Sequence, residues 1–307
     1  MAAARVLRRG ASWARTRLLV QAPGARLGWR RQAHSGPGGS EVHGKHRCFR
    51  KGLAFSVLSY LGYEAYVLIS RSSTVQADDQ SDILDQADYL YGSGETEKLC
   101  HLLEQHKNSE NAQLLWRLAR ASRDLAQLSQ TPPEKKKALT YEALGYAKQA
   151  LEKDPSCFAV HKWFAICISD VGDYEGIKTK IANAFVIKEH FQKAIELNPK
   201  DATSLHLMGI WCYTFAEMPW YQSKIAAVLF ATPPSSNYDE ALQYFQKAED
   251  VEPNFYSKNL LFLGKTYMKL NNRKMALLWL TKAKERVAHT EEDKQVQKEA
   301  QELLNSL

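Results

Sequence analysis

Three similar nine-residue stretches decide how this chain folds: AKQALEKDP (147–155), FQKAIELNP (191–199) and FQKAEDVEP (245–253). Each is a helix-forming run that ends in proline and has a small residue five positions earlier, namely Ala150, Ala194 and Ala248. Proline ends a helix because it lacks a backbone N–H, and it is tolerated in the first turn of a helix. The recurrence therefore predicts a repeated unit in which one helix closes at the proline and the next begins there.

A second helical run with apolar periodicity follows each of these prolines. Each run is centred on a small residue that lets two helix backbones approach closely: Ala165, Gly209 and Gly264. Such an alternation of paired helices is typical of tetratricopeptide repeats. The last unit fits without gaps, but successive prolines are 44 and then 54 residues apart, against about 34 in the usual repeat. We therefore expect two insertions of roughly 10 and 20 residues, around 178–186 and 218–237.

Two further helical pairs are predicted upstream, 82–91 with 95–106 and 111–128 with 134–153. About five pairs are enough for a solenoid that buries a continuous core. The fold class is accordingly all-α, a tetratricopeptide-like helical-hairpin solenoid of about five units with two helical insertions. We divide the chain into a basic N-terminus (1–47), an apolar helix with its linker (48–80) and the solenoid (81–307).

The positive charge of the chain lies almost entirely at its N-terminus. The 307 residues sum to +7, but residues 1–40 contain eight arginines and no lysine or acid, which leaves −1 for the other 267 residues. The whole-chain charge is therefore no argument for nucleic acid as a partner. An arginine-rich, acid-free segment is typical of a mitochondrial transit segment, and a disordered basic tail is the alternative.

Residues 53–69 (LAFSVLSYLGYEAYVLI) are the most apolar stretch of the chain. Seventeen residues are at the short limit for a membrane span, and Glu64 lies inside them. Three interpretations stay open: a weak membrane anchor, an amphipathic helix on a membrane surface, and a helix docked on the following domain.

The sequence contains no pattern that predicts catalysis, a metal or a cofactor. The Gly92–Gly94 turn lacks the Lys-Ser/Thr of a phosphate loop and is expected to join two helices. Cys157 and His161 are four residues apart but have no second Cys/His pair nearby, which favours a helix-pair interior over a zinc site. Acids around Gly172 are expected to cap a helix end. Five cysteines, an odd number without C-x-x-C spacing, argue against a disulfide framework as the basis of the fold.

The first helices of the units are expected to line a groove. Residues one turn on either side of the small positions are candidates for partner binding: Trp116, Arg120, Arg123, Lys162, His206, Tyr213, Lys258, Lys265 and Lys269, with Ile166, Ile210 and Leu261 among them. The set is rich in cations and contains no acid, which favours an extended acidic peptide. The alternative is that these lysines and arginines only solvate an exposed face.

Four stretches resemble the regulator of microtubule dynamics family: LLWRLARASRD (114–124), SDVGDYEGIKTKI (169–181), HLMGIWCYTFAEMPWYQ (206–222) and LFATPPSS (229–236). The resemblance covers about 81–307 and is specific, because it includes both insertions. The short chain length is similar to that of the smallest family member.

The resemblance implies microtubule association, a location at the spindle and spindle pole in the cytoplasm, and a mitochondrial pool. Tubulin C-terminal tails are acidic and extended, so a cationic groove suits them, and we expect its arginines and lysines to take part in binding. The alternative function is a mitochondrial adaptor or lipid-handling protein. Its apolar cavity would be lined by Trp211, Tyr213, Phe215, Trp220, Tyr221 and Phe230.

Overall fold

The computed structural model describes residues 80–218 and 234–307, and every regular element within those residues is an α-helix. The helices are α1 (80–92), α2 (Thr96–Glu104), α3 (Ala112–Gln127), α4 (Pro133–Lys153), α5 (Phe158–Glu175), α6 (Ile177–Leu197), α7 (Ala202–Ala216), α8 (Tyr238–Val251), α9 (Ser257–Lys269), α10 (Arg273–Glu285) and α11 (Glu291–Ser306). The predictions for residues 1–79 fall outside the described part. No helix within the described ranges is both long and apolar enough to span a bilayer.

The helices pack as successive pairs, with α3 against α4, α5 against α6, α7 against α8 and α9 against α10. Together with α1 and α2 these make the five units that the repeat predicts, and the all-α solenoid fold is confirmed. The upstream pairs begin and end within three residues of their predicted bounds.

The three repeat prolines lie in turns and not in helices. The preceding helices end at Lys153, Leu197 and Val251, two residues before each proline, and the next helices start three or four residues after it. The expectation that proline begins the following helix is therefore wrong. The N-terminus of α7 is capped by Asp201 and not by Pro199, because the Asp201 side chain accepts a hydrogen bond from the Ser204 N–H.

Close helix contact at the small positions is confirmed by the glycines of α7 and α9. A Cβ placed on Gly209 would lie 2.6 Å from the ring of Phe245 on α8. A Cβ on Gly264 would lie 2.6 Å from the side chain and 3.2 Å from the backbone nitrogen of Leu280 on α10. Only a residue without a side chain therefore allows each pair to pack at this distance.

The first predicted insertion lengthens a helical pair. Helices α5 and α6 have 18 and 21 residues, against 13 each in α9 and α10. A single residue joins them, Gly176 with φ +85°, a conformation that favours glycine. The expectation that acids around Gly172 cap a helix end is wrong, because α5 continues through Gly172 to Glu175 and α6 begins after Gly176 without a side-chain cap. Most of the second insertion lies outside the described residues.

Helix α11 is an element that the sequence analysis did not assign. Its Val296 and Ala300 are buried against Leu260 and Leu261 of α9 and against Leu280 of α10. Its first turn carries a capping box between Thr290 and Asp293. The helix thus covers the apolar end of the last pair, as a terminal repeat must.

Candidate peptide-binding groove

A cavity of about 880 Å³ opens between the first helices of the units and α11. Its lining comes from α1, α3, α5, α7, α9 and α11, together with the turn before α9. Apolar side chains, including Ile166, Ile210 and Leu261, form part of this lining. The expectation that first helices line a groove is therefore matched by the geometry, and we refer to this cavity as the groove.

The structure places only some of the candidate residues in the groove. Arg123, His206, Lys258 and Lys265 line it, whereas Trp116, Arg120, Lys162, Tyr213 and Lys269 do not. Four candidates are buried and offer little surface to a partner: Trp116, Arg120, His206 and Tyr213. These side chains lie on helix faces that pack against neighbouring helices. A position one helical turn from a small residue therefore does not by itself place a side chain in the groove.

Trp116 and Tyr213 are packing residues. Trp116 belongs to an apolar cluster with Ala150 of α4 and Val160 of α5. The ring of Tyr213 meets that of Phe262 edge-on, with 5.2 Å between centroids. Burial raises the pKa of the Tyr213 phenol, in keeping with its place in the core.

Arg120 belongs to a cluster that ties α1 to α3. Its guanidinium lies 3.5 Å from the ring centroid of Tyr91 and 3.6 Å from the Asp88 carboxylate. Arg117 donates two hydrogen bonds to the same carboxylate, at 2.9 and 2.8 Å. The bond from Arg117 lowers the pKa of Asp88, so this carboxylate stays charged and the cluster is structural.

The expectation of a groove without acids is wrong, because Glu292 and Glu299 of α11 line it. Each candidate cation also has a carboxylate partner on another element. Arg123 on α3 donates to Asp170 on α5 at 2.6 Å. Lys162 on α5 donates to Asp201, the capping residue of α7, at 3.0 Å. The Lys162 and Asp201 side chains are only 12% and 14% exposed, so this pair joins two units inside the protein.

Helix α11 supplies carboxylates to the cations of α9. Lys258 pairs with Glu292 at 2.5 Å, and Lys265 pairs with Glu299 at 3.0 Å. The Tyr256 hydroxyl also donates to Glu292, at 2.8 Å. The Lys258 and Glu292 side chains are 40% and 42% exposed, so solvent reaches this pair. Exposed pairs of this kind are worth about 0–1 kcal/mol and can be exchanged for a ligand.

Lys269 resembles the α9 lysines in exposure but lies beyond the groove. Its ammonium pairs with Glu217 at 2.7 Å, and the hydrogen bond that it donates to that carboxylate raises the pKa of Lys269. The partner follows the last residue of α7, so the pair links α9 to the preceding unit.

His206 is held neutral beneath the groove. Asn259 donates its amide to the carbonyl of Phe245 at 3.1 Å, which leaves its Oδ1 to accept from His206 Nδ1 at 3.0 Å. Burial lowers the pKa of His206 to about 4. The imidazole is therefore an uncharged hydrogen-bond donor in the core of α7 and α9.

His161 is a core residue, as the sequence favoured, and it has a histidine partner. Its Nε2 lies 2.8 Å from the Pro155 carbonyl, which can only accept, so Nε2 carries the proton. Its Nδ1 lies 2.8 Å from Nδ1 of His190 on α6. In the neutral pair His190 must therefore donate to His161. Within the described residues, no group of three or more His, Cys, Asp or Glu side chains is placed to hold a metal ion.

A second cavity of about 450 Å³ lies among α5, α6 and α7, and two of the aromatic residues expected at an apolar cavity, Trp211 and Phe215, line it. Its lining is mainly apolar, with Ile181 and Ile187 of α6 and Trp211 and Phe215 of α7. Of the aromatic residues expected at an apolar cavity, Tyr213 packs elsewhere. Trp220, Tyr221 and Phe230 lie outside the described residues.

One feature of the sequence could have indicated the acids of α11 that pair with the lysines of α9. Glu292 and Glu299 follow Lys258 and Lys265 by 34 residues, which is the tetratricopeptide period. Helix α11 thus occupies the position of a first helix in a sixth unit, with acids at the places where α9 has lysines. Continuing the repeat one period past Gly264 would have revealed the pairing.

A family model described as "Regulator of microtubule dynamics protein 1-3" matches residues 83–307. The regulator of microtubule dynamics protein 1 of Mus musculus is 70% identical over 268 residues, which cover 87% of this chain and 88% of that protein. The protein of the same name in Homo sapiens is 67% identical over 294 residues, 93% of each chain.

Among solved structures, a thermophilic tetratricopeptide-repeat protein from Thermus thermophilus aligns with a TM-score of 0.53. The alignment covers 72% of this chain and 98% of that one, at 16% identity. At that identity the likeness concerns the fold alone, and it agrees with the helical pairs described above.

Proposed function

This chain belongs to the regulator of microtubule dynamics family, and from that premise we propose a non-enzymatic, microtubule-associated interaction protein. In this proposal the groove binds an extended acidic segment such as a tubulin C-terminal tail. The protein accordingly acts in the cytoplasm on the cytoskeleton, including the spindle and spindle pole, with a mitochondrial pool directed by residues 1–47.

The observation that carries the proposal is the pair of lysines along α9. Lys258 and Lys265 are seven residues apart, two helical turns, and both line the groove. Between and beside them lie apolar side chains such as Leu261 and Phe262. A groove of this kind suits a chain that alternates acidic and apolar groups.

The exposure of the ion pairs reduces the number of cations that can bind a partner. Arg123 and Lys162 pair with carboxylates that are only 26% and 14% exposed, and freeing these cations would leave a carboxylate unpaired in the interior. Arg120 pairs with the exposed Asp88, but its own side chain is only 9% exposed and offers little surface to a partner. Lys258 and Lys265 have solvent-exposed partners on α11, which an acidic ligand can replace at small cost. We therefore assign recognition to the α9 lysines and structure to the other three cations.

The test is co-sedimentation of the full chain with microtubules at several salt concentrations. Lys258→Glu together with Lys265→Glu should weaken binding about tenfold, because two contacts to acidic residues become repulsive. The same double reversal at Lys135 and Lys137, exposed lysines in the first two turns of α4, is the control. Circular dichroism should show both variants folded.

Microtubules whose acidic tails have been removed by limited proteolysis sharpen the test. Wild-type binding should fall to the level of the α9 variant, and it should fall further as salt rises on intact microtubules. The groove proposal would be contradicted if the α9 variant co-sedimented with microtubules as well as the wild type, or if wild-type binding did not depend on salt.

A second candidate function rests on the apolar cavity among α5, α6 and α7. Its volume of about 450 Å³ lies within the range of small-molecule sites, and apolar lining suits an acyl chain. A lipid that co-purifies with the chain and is seen by native mass spectrometry would support a lipid-handling role. A chain that is empty after gentle purification would count against it.

A further inference from the structure

The outer side of the last helical pair carries a second concentration of positive charge. Helix α10 has four cations and one acid, Glu285, and none of its residues lines the groove. We use the name basic face for six of its exposed side chains: Arg273, Lys274, Leu277, Leu278, Lys282 and Lys284. Glu285 is exposed on the same side of the helix, so the four cations and this acid give the side a net charge of +3.

The cations of the basic face have no carboxylate partners in the part of the chain that the structure describes. The ion pairs among residues 80–218 and 234–307 include none of the four cations. Lys282 lies over the ring of Trp279, 4.2 Å from its centroid, a cation–π contact that leaves its full positive charge in place. This face therefore attracts anions without first having to displace an internal acid.

Two leucines lie among these cations and face solvent. Leu277 is 52% exposed and Leu278 is 45% exposed, although the opposite side of α10 is fully buried through Ala276 and Leu280. Arg273 precedes Leu277 by four residues, and Lys274 and Lys282 flank Leu278 at the same spacing. Residues four apart share one side of a helix, so Leu278 has a cation on both sides and Leu277 has one on its N-terminal side.

We propose that the basic face binds the surface of an anionic lipid bilayer. Its cations would contact lipid phosphates and carboxylates, while Leu277 and Leu278 enter the boundary between headgroups and acyl chains. A helix on the outside of a solenoid presents its side chains to a plane, whereas an extended acidic peptide gains more contact in a groove. The exposed leucines favour a bilayer over an acidic protein surface, since acids alone would not require them.

The test is flotation of the full chain with vesicles of phosphatidylcholine, with and without 30% phosphatidylserine as the anionic probe lipid. Wild type should float with the phosphatidylserine vesicles and less so as salt rises. Arg273→Glu with Lys274→Glu should bind at least about thirtyfold more weakly, because each basic residue contributes about 1 kcal/mol near such a surface and its reversal adds repulsion. Lys135→Glu with Lys137→Glu makes the same charge change in the same kind of helix turn and should float like wild type.

A leucine variant separates a bilayer from other anionic partners. Leu277→Gln with Leu278→Gln keeps all charges and should also reduce flotation, by removing the groups that enter the bilayer. The proposal is overturned if the wild type does not float, or if the α4 control loses as much binding as the α10 charge variant. It is also overturned if the leucine variant floats unchanged, or if the charge variant loses only microtubule binding, which would assign this face to an acidic protein.

Because every variant retains residues 1–79, any vesicle binding by that part of the chain is common to all of them. The comparison between the α10 and α4 variants therefore isolates the basic face. Unfolding midpoints close to that of the wild type would show that the substitutions act on the surface.

Discussion

The first helices contribute six cations in or near the groove, and the basic face of α10 carries four. All six of the former have carboxylate partners, from the buried Lys162–Asp201 pair to the exposed Lys258–Glu292 pair. None of the latter has one in the described ranges. A count of positive residues therefore says little about where a protein attracts anions; what matters is which of those charges are already neutralised.

The difference has a structural cause. A first helix faces the first helix of the next unit, so its long side chains meet acids on a neighbour, such as Asp170 opposite Arg123. The outward side of α10 faces solvent, and its cations have no such neighbour in the described residues. Three predictions test this contrast, in order of expected size.

The largest expected effect is a loss of folding stability at acidic pH, caused by the buried His206. Burial lowers the pKa of His206 to about 4, below its ordinary 6.5. As pH falls from about 6.5 to about 4, the unfolded chain takes up a proton that the folded chain refuses, so the free energy of unfolding should drop by about 3 kcal/mol. Urea unfolding at a series of pH values measures this fall.

His206→Asn provides the matched control, since its amide can still donate to Asn259. The variant should be less stable than wild type at pH 7 but should lose less stability over the same pH interval. Parallel curves for the two proteins would show that His206 does not titrate in this way.

The second prediction contrasts a paired with an unpaired lysine. Lys162→Met leaves the Asp201 carboxylate buried without its partner and should lower the free energy of unfolding by about 2 kcal/mol. Lys274→Met on the basic face removes no ion pair and should change it by about 0.5 kcal/mol or less. Equal losses in thermal or urea unfolding would mean that the two lysines do not differ as described.

The smallest effect concerns ligand affinity. Glu292→Gln with Glu299→Gln removes the carboxylates that compete with an acidic ligand for Lys258 and Lys265, so a fluorescent poly-glutamate peptide should bind about threefold more tightly. Glu291→Gln with Glu302→Gln makes the same charge change at acids that pair with lysines of α11 itself. Tighter binding by both variants to the same extent would indicate a general charge effect instead.

Much of the fold could be predicted because a tetratricopeptide unit is encoded locally. The prolines, and the glycines at 209 and 264, mark helix ends and close contacts within a few dozen residues. The site was harder to predict, because an ion pair such as Arg123–Asp170 spans 47 positions and joins two different units. Burial of Trp116 and Tyr213 likewise depends on how each helix is rotated against its neighbours, which a one-turn spacing rule does not specify.

The histidine pair between α5 and α6 has a consequence for spectroscopy. Because the Pro155 carbonyl fixes the tautomer of His161, the proton shared with His190 lies between two nitrogen nuclei 2.8 Å apart. Such an N–H···N bridge transmits a scalar coupling between two ¹⁵N spins, and the coupling decays steeply with their separation. With selective ¹⁵N labelling of histidine, this coupling would report the separation of α5 and α6. It would therefore show whether a ligand in the groove moves the two helices of the third unit apart.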